Sequence, residues 1–474
     1  MIPVLLIAIP LAAGAAGFFI KQAKPWAMLA SLATLGVMLY GICFNHCSCL
    51  YSFNRPWIPE LGTDFHVLLS GTGKILCLLT AFAFPLIFCA TYNKQRENER
   101  SFYSLMLLSQ AGLMGVFVAA DALLFYFFWE LALIPVYFLA SRWGGEKRIA
   151  ATFKFFIYTF LGSILMLVAI IYLFNKTPDN SFALESFRNL KLSLKEHYWL
   201  FGLFFVAFAI KMPIFPFHTW QPDAYEQSPT PVTMVLSGVM VKMGLFGVMQ
   251  WLIPVMPGAA SAAAHAIIVF CVIGIIYASL IAMRQDDLKR LVAYSSIAHI
   301  GLMCAALFTG EPAGVNGVVI QMFSHGINII GLWMVIDMIE SRTGIRKMSQ
   351  LGGLAQRSPW LAIMLVIIAL ANIALPLTNA FVGEFLMFNA LFRYNIWVAA
   401  SAGIGIILSA VYTLNMIQKV FFGEAAKEHA LTGDISWNEK IALAIIVLFI
   451  LVMGIYPAPM FQLYEQTVAV AANR

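Results

Sequence analysis

The fold class the sequence predicts is an all-α polytopic membrane protein. It has about fourteen transmembrane helices, two inverted five-helix repeats, and breaks in the seventh and twelfth helices. Composition is the first observation behind this: of 474 residues, 61% are hydrophobic and only 11% charged, where a soluble domain has about a quarter of its residues charged. The second is the recurrence of apolar runs some 20 residues long. Such runs select helices over a barrel, because in lipid the backbone polar groups must be bonded within the segment. The third is the position of the prolines, which interrupt two of the runs.

Charged and Pro/Gly-rich breaks place spans near 2–20, 26–45, 67–91, 102–120, 122–141, 150–174, 199–226, 230–252, 259–283, 288–308, 313–339, 359–393, 396–418 and 438–459. No basic segment precedes the first apolar run, which reads as a retained span and not a cleaved signal. With the N-terminus outside, the outer loops carry Arg55, Lys176, Arg188, Lys191, Lys195, Arg393 and Arg474. Lys74, Lys154, Lys211 and Lys242 lie within spans, and the rest of the 29 Lys and Arg residues fall in inner loops. That bias predicts both termini on the outer side. The net charge of +6 is thus a topology signal, and no basic patch supports a nucleic-acid partner.

The seventh span carries Pro213, Pro216 and Pro222. A proline removes the bond to the carbonyl four residues back, so Pro213 frees the carbonyl of Ala209 and Pro216 that of Met212, bracketing Lys211. The twelfth would extend about 51 Å as one helix, well past a hydrocarbon core of about 30 Å, and Pro376 sits midway. Broken helices in corresponding places point to inverted repeats. The chain then divides into an N-terminal three-helix segment (1–100), a first five-helix repeat with a proton half-channel (101–253), a second, inverted repeat (254–422) and a C-terminal helix (423–474).

Lys242 lies near the middle of its span, where a lysine costs on the order of 3 kcal/mol to insert. Glu130, Lys211, His299 and His325 fall at the same level, about 13 to 18 Å into their spans at 1.5 Å per residue, and Glu384 follows the Pro376 break. Ionisable groups at one depth on different helices make a row parallel to the membrane that can hand protons along. Burial lowers lysine and raises glutamate proton affinity, and an opposite charge reverses both. A closed Glu130–Lys211 pair would hold the lysine charged; an opened one would let it release a proton towards Lys242 through His218 or water. Lys74 and Lys154, near span ends, have the reach to snorkel. Asp286, Asp287, Lys289 and Arg290 read as a solvated loop. Seven cysteines form no CxxC repeat, and the group Cys43, His46, Cys47 and Cys49 fits no standard metal spacing. No metal site is predicted.

The stretch AFAIKMPIFPFHTWQPDAYEQSPTPVTMVLSGVMVKMGLFG (207–247) resembles the signature of the antiporter-like membrane subunits of respiratory complex I. FWELALIPVYFLASRWGG, DDLKRLVAYSSIAHIGLM, VIQMFSHGINIIGLW and AFVGEFLMF continue the resemblance over roughly residues 100 to 420. Within that family it is similar to the branch whose twelfth span carries an acid where its paralogues carry a lysine. The resemblance implies that Glu130, Lys211, Lys242 and Glu384 translocate protons and that His218, His299 and His325 relay them. It implies no cofactor in this chain, with NADH, FMN, iron–sulfur clusters and quinone held elsewhere in a proton-translocating NADH:quinone oxidoreductase. The implied partners are the other membrane-arm subunits, paralogous antiporter-like ones among them, and membrane lipid. The implied location is a bacterial cell membrane. A subunit of a multi-subunit cation/proton antiporter or of a membrane-bound hydrogenase is the alternative on the same fold. The family's break motif carries glycines where this chain has Ala374, Leu377 and Ala380.

Overall fold

The computed structural model describes residues 1–44, 50–423 and 434–464. Among these, eleven helices are long and apolar enough to cross a membrane. The helices are numbered so that the two interrupted ones keep one number each: α1 (Ile2–Gly17), α2 (Ala23–Phe44), α3 (Gly71–Ala90), α4 (Glu99–Val118), α5 (Ala122–Trp143), α6 (Arg148–Phe174), α7 (Leu194–Lys211, resumed at Gln221–Gln227), α8 (Thr230–Val255), α9 (Pro257–Arg284), α10 (Leu288–Phe308), α11 (Pro312–Thr343), α12 (Pro359–Asn372, resumed at Asn379–Tyr394), α13 (Ile396–Ile417) and α14 (Trp437–Ile455). Between α2 and α3 the chain forms two short antiparallel pairings, Ser52–Phe53 with Val67–Leu68 and Pro56–Ile58 with Thr63–Asp64.

Of the helices that carry ionisable residues, α8, α10 and α11 are interior ones. In the most apolar stretch of α11 every residue is buried, and in those of α8 and α10 94% are, against 28% for α13. A helix buried all round lies in the core of the bundle, and a polar side chain on it faces protein, not lipid. Glycines set the closest approaches. A Cβ on Gly326 of α11 would lie 2.8 Å from the Gly238 carbonyl oxygen of α8, and one on Gly238 would lie 2.6 Å from Ile330.

α4 to α8 and α9 to α13 are packed in the same order. α4 lies on α5 and α9 on α10; α5 on α6 and α10 on α11; α6 on α7 and α11 on α12; α4 on α8 and α9 on α13. The starts of α5 and α10 also match in detail. Asp121 caps α5 by accepting from the amides of Leu123 and Leu124 at 2.9 and 3.0 Å. Asp287 caps α10 by accepting from those of Lys289 and Arg290 at 2.8 and 3.2 Å. Each capping residue also forms an isolated antiparallel bridge to the segment that precedes the broken helix, Asp121 to Ala183 and Asp287 to Lys347.

Both breaks reuse the carbonyls they release. At the end of the first half of α7 the Met212 amide bonds the Phe208 carbonyl, and the Ile214 amide reaches five residues back to that of Ala209 at 3.2 Å. The Ala209 carbonyl that Pro213 was expected to leave free is therefore occupied, as a buried acceptor must be. The Trp220 indole donates to the neighbouring Ile210 carbonyl at 3.0 Å. In α12 the Leu375 amide likewise reaches back to Leu370 at 3.1 Å. Here Ala374 and Leu377 adopt φ of 55° and 72°, a left-handed backbone that costs a residue with a Cβ roughly 1–2 kcal/mol. Leu377 is also mostly exposed, so Leu377→Gly is expected to raise the thermal midpoint of the detergent-solubilised protein slightly, read by heat-induced aggregation. α14 covers this break: a Cβ on Gly454 would sit 2.2 Å from the Leu377 carbonyl oxygen. Gly454→Val should therefore push α14 off the break and lower that midpoint by several degrees, since overpacking costs about 1–3 kcal/mol.

Candidate functional site

Lys242 is fully buried, and the backbone of its own helix is arranged around it. At Leu236–Met240 α8 widens to a π-turn, in which the Val241 amide bonds the Leu236 carbonyl at 3.1 Å. The Ser237 carbonyl, which an α-helix would give to Val241, instead accepts from Lys242 Nζ at 2.7 Å. Single π-turns of this kind are frequent at functional sites. The ammonium also stands 2.9 Å from His325 Nδ1 on α11. The other imidazole nitrogen of His325 lies 3.4 Å from the Ser296 hydroxyl of α10.

One turn along α10, the ring of His299 is centred 5.5 Å from that of His325. His299 Nδ1 is 3.1 Å from Glu384 Oε1 on the second half of α12, and the Gln321 amide donates to the same oxygen at 3.2 Å. Lys242, His325, His299 and Glu384 thus lie in one row across four helices, all buried; its middle step is a contact of the two imidazole rings, with no hydrogen bond between them among the described residues. Around its far end Tyr412 donates to Ser295 Oγ at 2.9 Å, and Asn328 and Asn379 exchange amide hydrogen bonds of 3.1 Å.

The other half of the row is more loosely joined. Lys211, the last residue of the first half of α7, is buried with no hydrogen-bond partner on Nζ among the described residues. It lies 5.4 Å from the centre of the Trp129 ring, within cation–π range. Glu130 follows Trp129 in sequence, but it forms no ion pair with Lys211 among the described residues, and its Oε1 is unpartnered. The expected pair is open in this structure. His218 is buried against Phe215, in a stacked contact, and Tyr277, edge-on, and its Nδ1 is unpartnered. No hydrogen bond among the described residues joins Lys211 or His218 to Lys242. The two helices nevertheless touch, for a Cβ on Gly244 would lie 2.7 Å from the Phe208 carbonyl oxygen. Trp129 Nε1 and the Gln221 amide are also buried and unpartnered. Buried polar groups take partners, water included, so a run of unsatisfied ones marks a wettable region.

Where the second half of α7 meets the start of α10, charges cluster. Asp223 bonds Lys154 and Arg290 at 2.8 and 3.1 Å, and Glu226 bonds Arg290 and Arg346 at 2.9 and 3.0 Å. Arg346 also bonds Asp287 at 2.8 Å. Burial pushes the Asp287 carboxyl above its ordinary range, and Arg346 opposes the rise. A cavity of about 300 Å³ opens beside Lys147, Lys154, Asp223, Glu226 and Arg290. The reading of residues 286–290 as a solvated loop is therefore overturned. Asp287 and Arg290 are tied into this network, Lys289 is buried on Glu340 at 2.7 Å, and Asp286 alone of the four is exposed. Lys154 is ion-paired, not snorkelling. Lys74 is buried, with its ammonium 4.2 Å from the centre of the Tyr51 ring. Cys43 is exposed; His46, Cys47 and Cys49 lie outside the described residues.

The sequence reasoning missed Ser237, Ser296, Trp129, Gln321 and Tyr412 as neighbours of the row. The Ser-Gly pair before Lys242 was the one available signal, because a serine bonding back onto its own helix, here Ser237 Oγ to the Thr233 carbonyl at 2.7 Å, loosens the regular ladder.

Two broken helices around a buried row of lysine, imidazoles and carboxylate define a polytopic membrane protein with ionisable groups at its core. Residues 119–409 match the family model described as NADH:quinone oxidoreductase/Mrp antiporter, TM, and the chain belongs to that family. Within it the chain is similar to NADH-quinone oxidoreductase subunit M: that of Rhodobacter capsulatus is 38% identical over 88% of this chain and 83% of its own length. A chain of respiratory complex I from Thermus thermophilus with bound NADH superposes with a TM-score of 0.91 and 28% identity, covering 98% of this chain and 99% of that one. A chain of the Mrp complex from Dietzia sp. DQ12-45-1b shares the fold at a TM-score of 0.85 and 20% identity, covering 98% of this chain and 52% of that one.

Proposed function

We propose that this membrane-arm subunit of a proton-translocating NADH:quinone oxidoreductase carries its protons along Lys242, His325, His299 and Glu384, fed by the Glu130–Lys211 pair. The observation that carries the reading is the Lys242–His325 contact of 2.9 Å, which joins α8 of one half to α11 of the other at the most buried point of the bundle. An imidazole takes a proton at one nitrogen and gives it up at the other. His325 sits between a lysine and a hydroxyl in that manner.

The first half loads the file. Glu130 and Lys211, near each other but not in ion-pair contact, take up the proton and pass it from Lys211 towards Lys242. His218, unpartnered at Nδ1, belongs to the wettable part of this half. Glu384, held by His299 and Gln321, is the terminal acceptor and releases the proton outward. The packing order and the twin caps at Asp121 and Asp287 support two repeats within 101–253 and 254–422, flanked by the segment 1–100 and the helix in 423–474. They also support fourteen crossings, with Pro213 and Pro216 at one break and Pro376 at the other. An even number of crossings puts both termini on one side, the outer one by the Lys/Arg bias. The membrane is the bacterial cell membrane. The flavin, iron–sulfur clusters, NADH and quinone belong to other subunits, and the partners include paralogous antiporter-like chains.

The test is Glu384→Gln in the assembled complex, in sealed membrane vesicles. The amide keeps the hydrogen bonds but holds no transferable proton, so NADH-driven proton translocation per electron should fall with assembly unchanged. An unaltered ratio would remove Glu384 from the path.

A further inference from the structure

Beside the far end of the file lies a small cavity. Its volume is about 20 Å³, and its walls include His299, Glu384, Ser409 and Tyr412. A cavity needs on the order of 10–15 Å³ to admit one water, and the water needs two to four polar partners. Two buried polar atoms of residues lining it, His299 Nε2 and Ser409 Oγ, have no partner within hydrogen-bond distance among the described residues, and Ser409 lies close enough to the Tyr412 hydroxyl to interact with it. His299 is 6% exposed and Ser409 5%, so bulk solvent does not satisfy them. The Tyr412 hydroxyl already spends its proton on Ser295 Oγ, which leaves its oxygen free to accept.

We infer that this cavity binds one structural water, shared by His299 Nε2, Ser409 Oγ and the Tyr412 oxygen, and that Tyr412 is a positioning residue for the His299–Glu384 pair. The hydroxyl chain behind the water explains why it is a holding site and not an exit. Tyr412 donates to Ser295, and Ser295 also accepts from the Asn372 amide at 3.4 Å. Asn372 is the last residue of the first half of α12, and an amide does not take up a proton and pass it on. The branch therefore ends there. It ties the water, and through it the His299 ring, to the edge of the break in α12. With Nε2 on the water, His299 keeps Nδ1 turned to Glu384, the geometry on which the last transfer depends, and the water is the neighbour from which Nε2 takes the proton. Ser409 closes the family's matched segment and Tyr412 lies three residues beyond it.

This inference rests on the proposed path, and the experiment separates the two. Glu384→Gln, Tyr412→Phe and Ser409→Ala are compared in the assembled complex in sealed vesicles, with the carboxylic C=O stretch of Glu384 assigned by its loss in Glu384→Gln. Tyr412→Phe keeps the ring and its packing but removes the oxygen. It should shift that stretch and lower proton translocation per electron to a value between those of the wild type and Glu384→Gln. Ser409→Ala should do the same more weakly, and a high-resolution map of the wild-type complex should show one water in the cavity. A Tyr412→Phe complex with an unmoved stretch and a wild-type ratio, while Glu384→Gln is impaired, overturns the water site and leaves the path standing. If Glu384→Gln pumps normally, both fall.

Discussion

Replacing Lys242 with alanine is expected to abolish this subunit's whole share of proton translocation while leaving the complex assembled. The energetics support the second half of that statement. Removal of the ammonium leaves the Ser237 carbonyl and His325 Nδ1 without their partner, about 1–3 kcal/mol for each group left unsatisfied. Against this, the charge no longer has to be held at mid-bilayer, a gain on the order of 3 kcal/mol. The two nearly cancel, so the loss should be one of conduction and not of fold. The readout is protons translocated per electron in sealed vesicles, beside the amount of intact complex on a native gel. An unchanged ratio would mean that the lysine only links helices.

The second large effect is expected at a residue with no titratable group. Gly326 follows His325, and its lack of a side chain lets α11 approach the Gly238 carbonyl of α8. Valine there would push the helices apart at the point where the lysine meets the imidazole. Overpacking typically costs about 1–3 kcal/mol. A separation of 1 Å would also stretch the 2.9 Å contact between Lys242 and His325 beyond hydrogen-bond range. Gly326→Val should therefore reduce pumping nearly as far as Lys242→Ala and lower the thermal midpoint as well, with Gly326→Ala intermediate. A valine variant with wild-type pumping would show that the approach of α8 and α11 does not gate the transfer.

Much of this arrangement was legible in the residue order, for identifiable reasons. Lysines and glutamates cannot sit at mid-bilayer without a purpose, so depth singled out Lys211, Lys242 and Glu130, and the Pro376 break drew attention to Glu384. The two breaks followed from proline and from helix length. The partners were not legible, because α8, α10 and α11 are buried around nearly their full circumference and no amphipathic stripe says which way each helix is turned. Hence Ser296 beside His325, Gln321 on Glu384 and the ring of Trp129 over Lys211 emerged with the packing. The repeat left little mark in side-chain identity, yet Asp121 and Asp287 occupy matching caps. Local charge patterning misled at Asp287 and Arg290, whose partners arrive from α7 and from the segment after α11.

The central claim is that Lys242 and Glu384 belong to one file, and a double-mutant cycle on proton translocation per electron tests it most directly. Lys242→Ala, Glu384→Gln and the double variant are compared in the same vesicles. Sites in one serial path do not add, so the double variant should lose no more than Lys242→Ala alone. If the two losses sum, Lys242 and Glu384 serve separate paths and the single file is wrong.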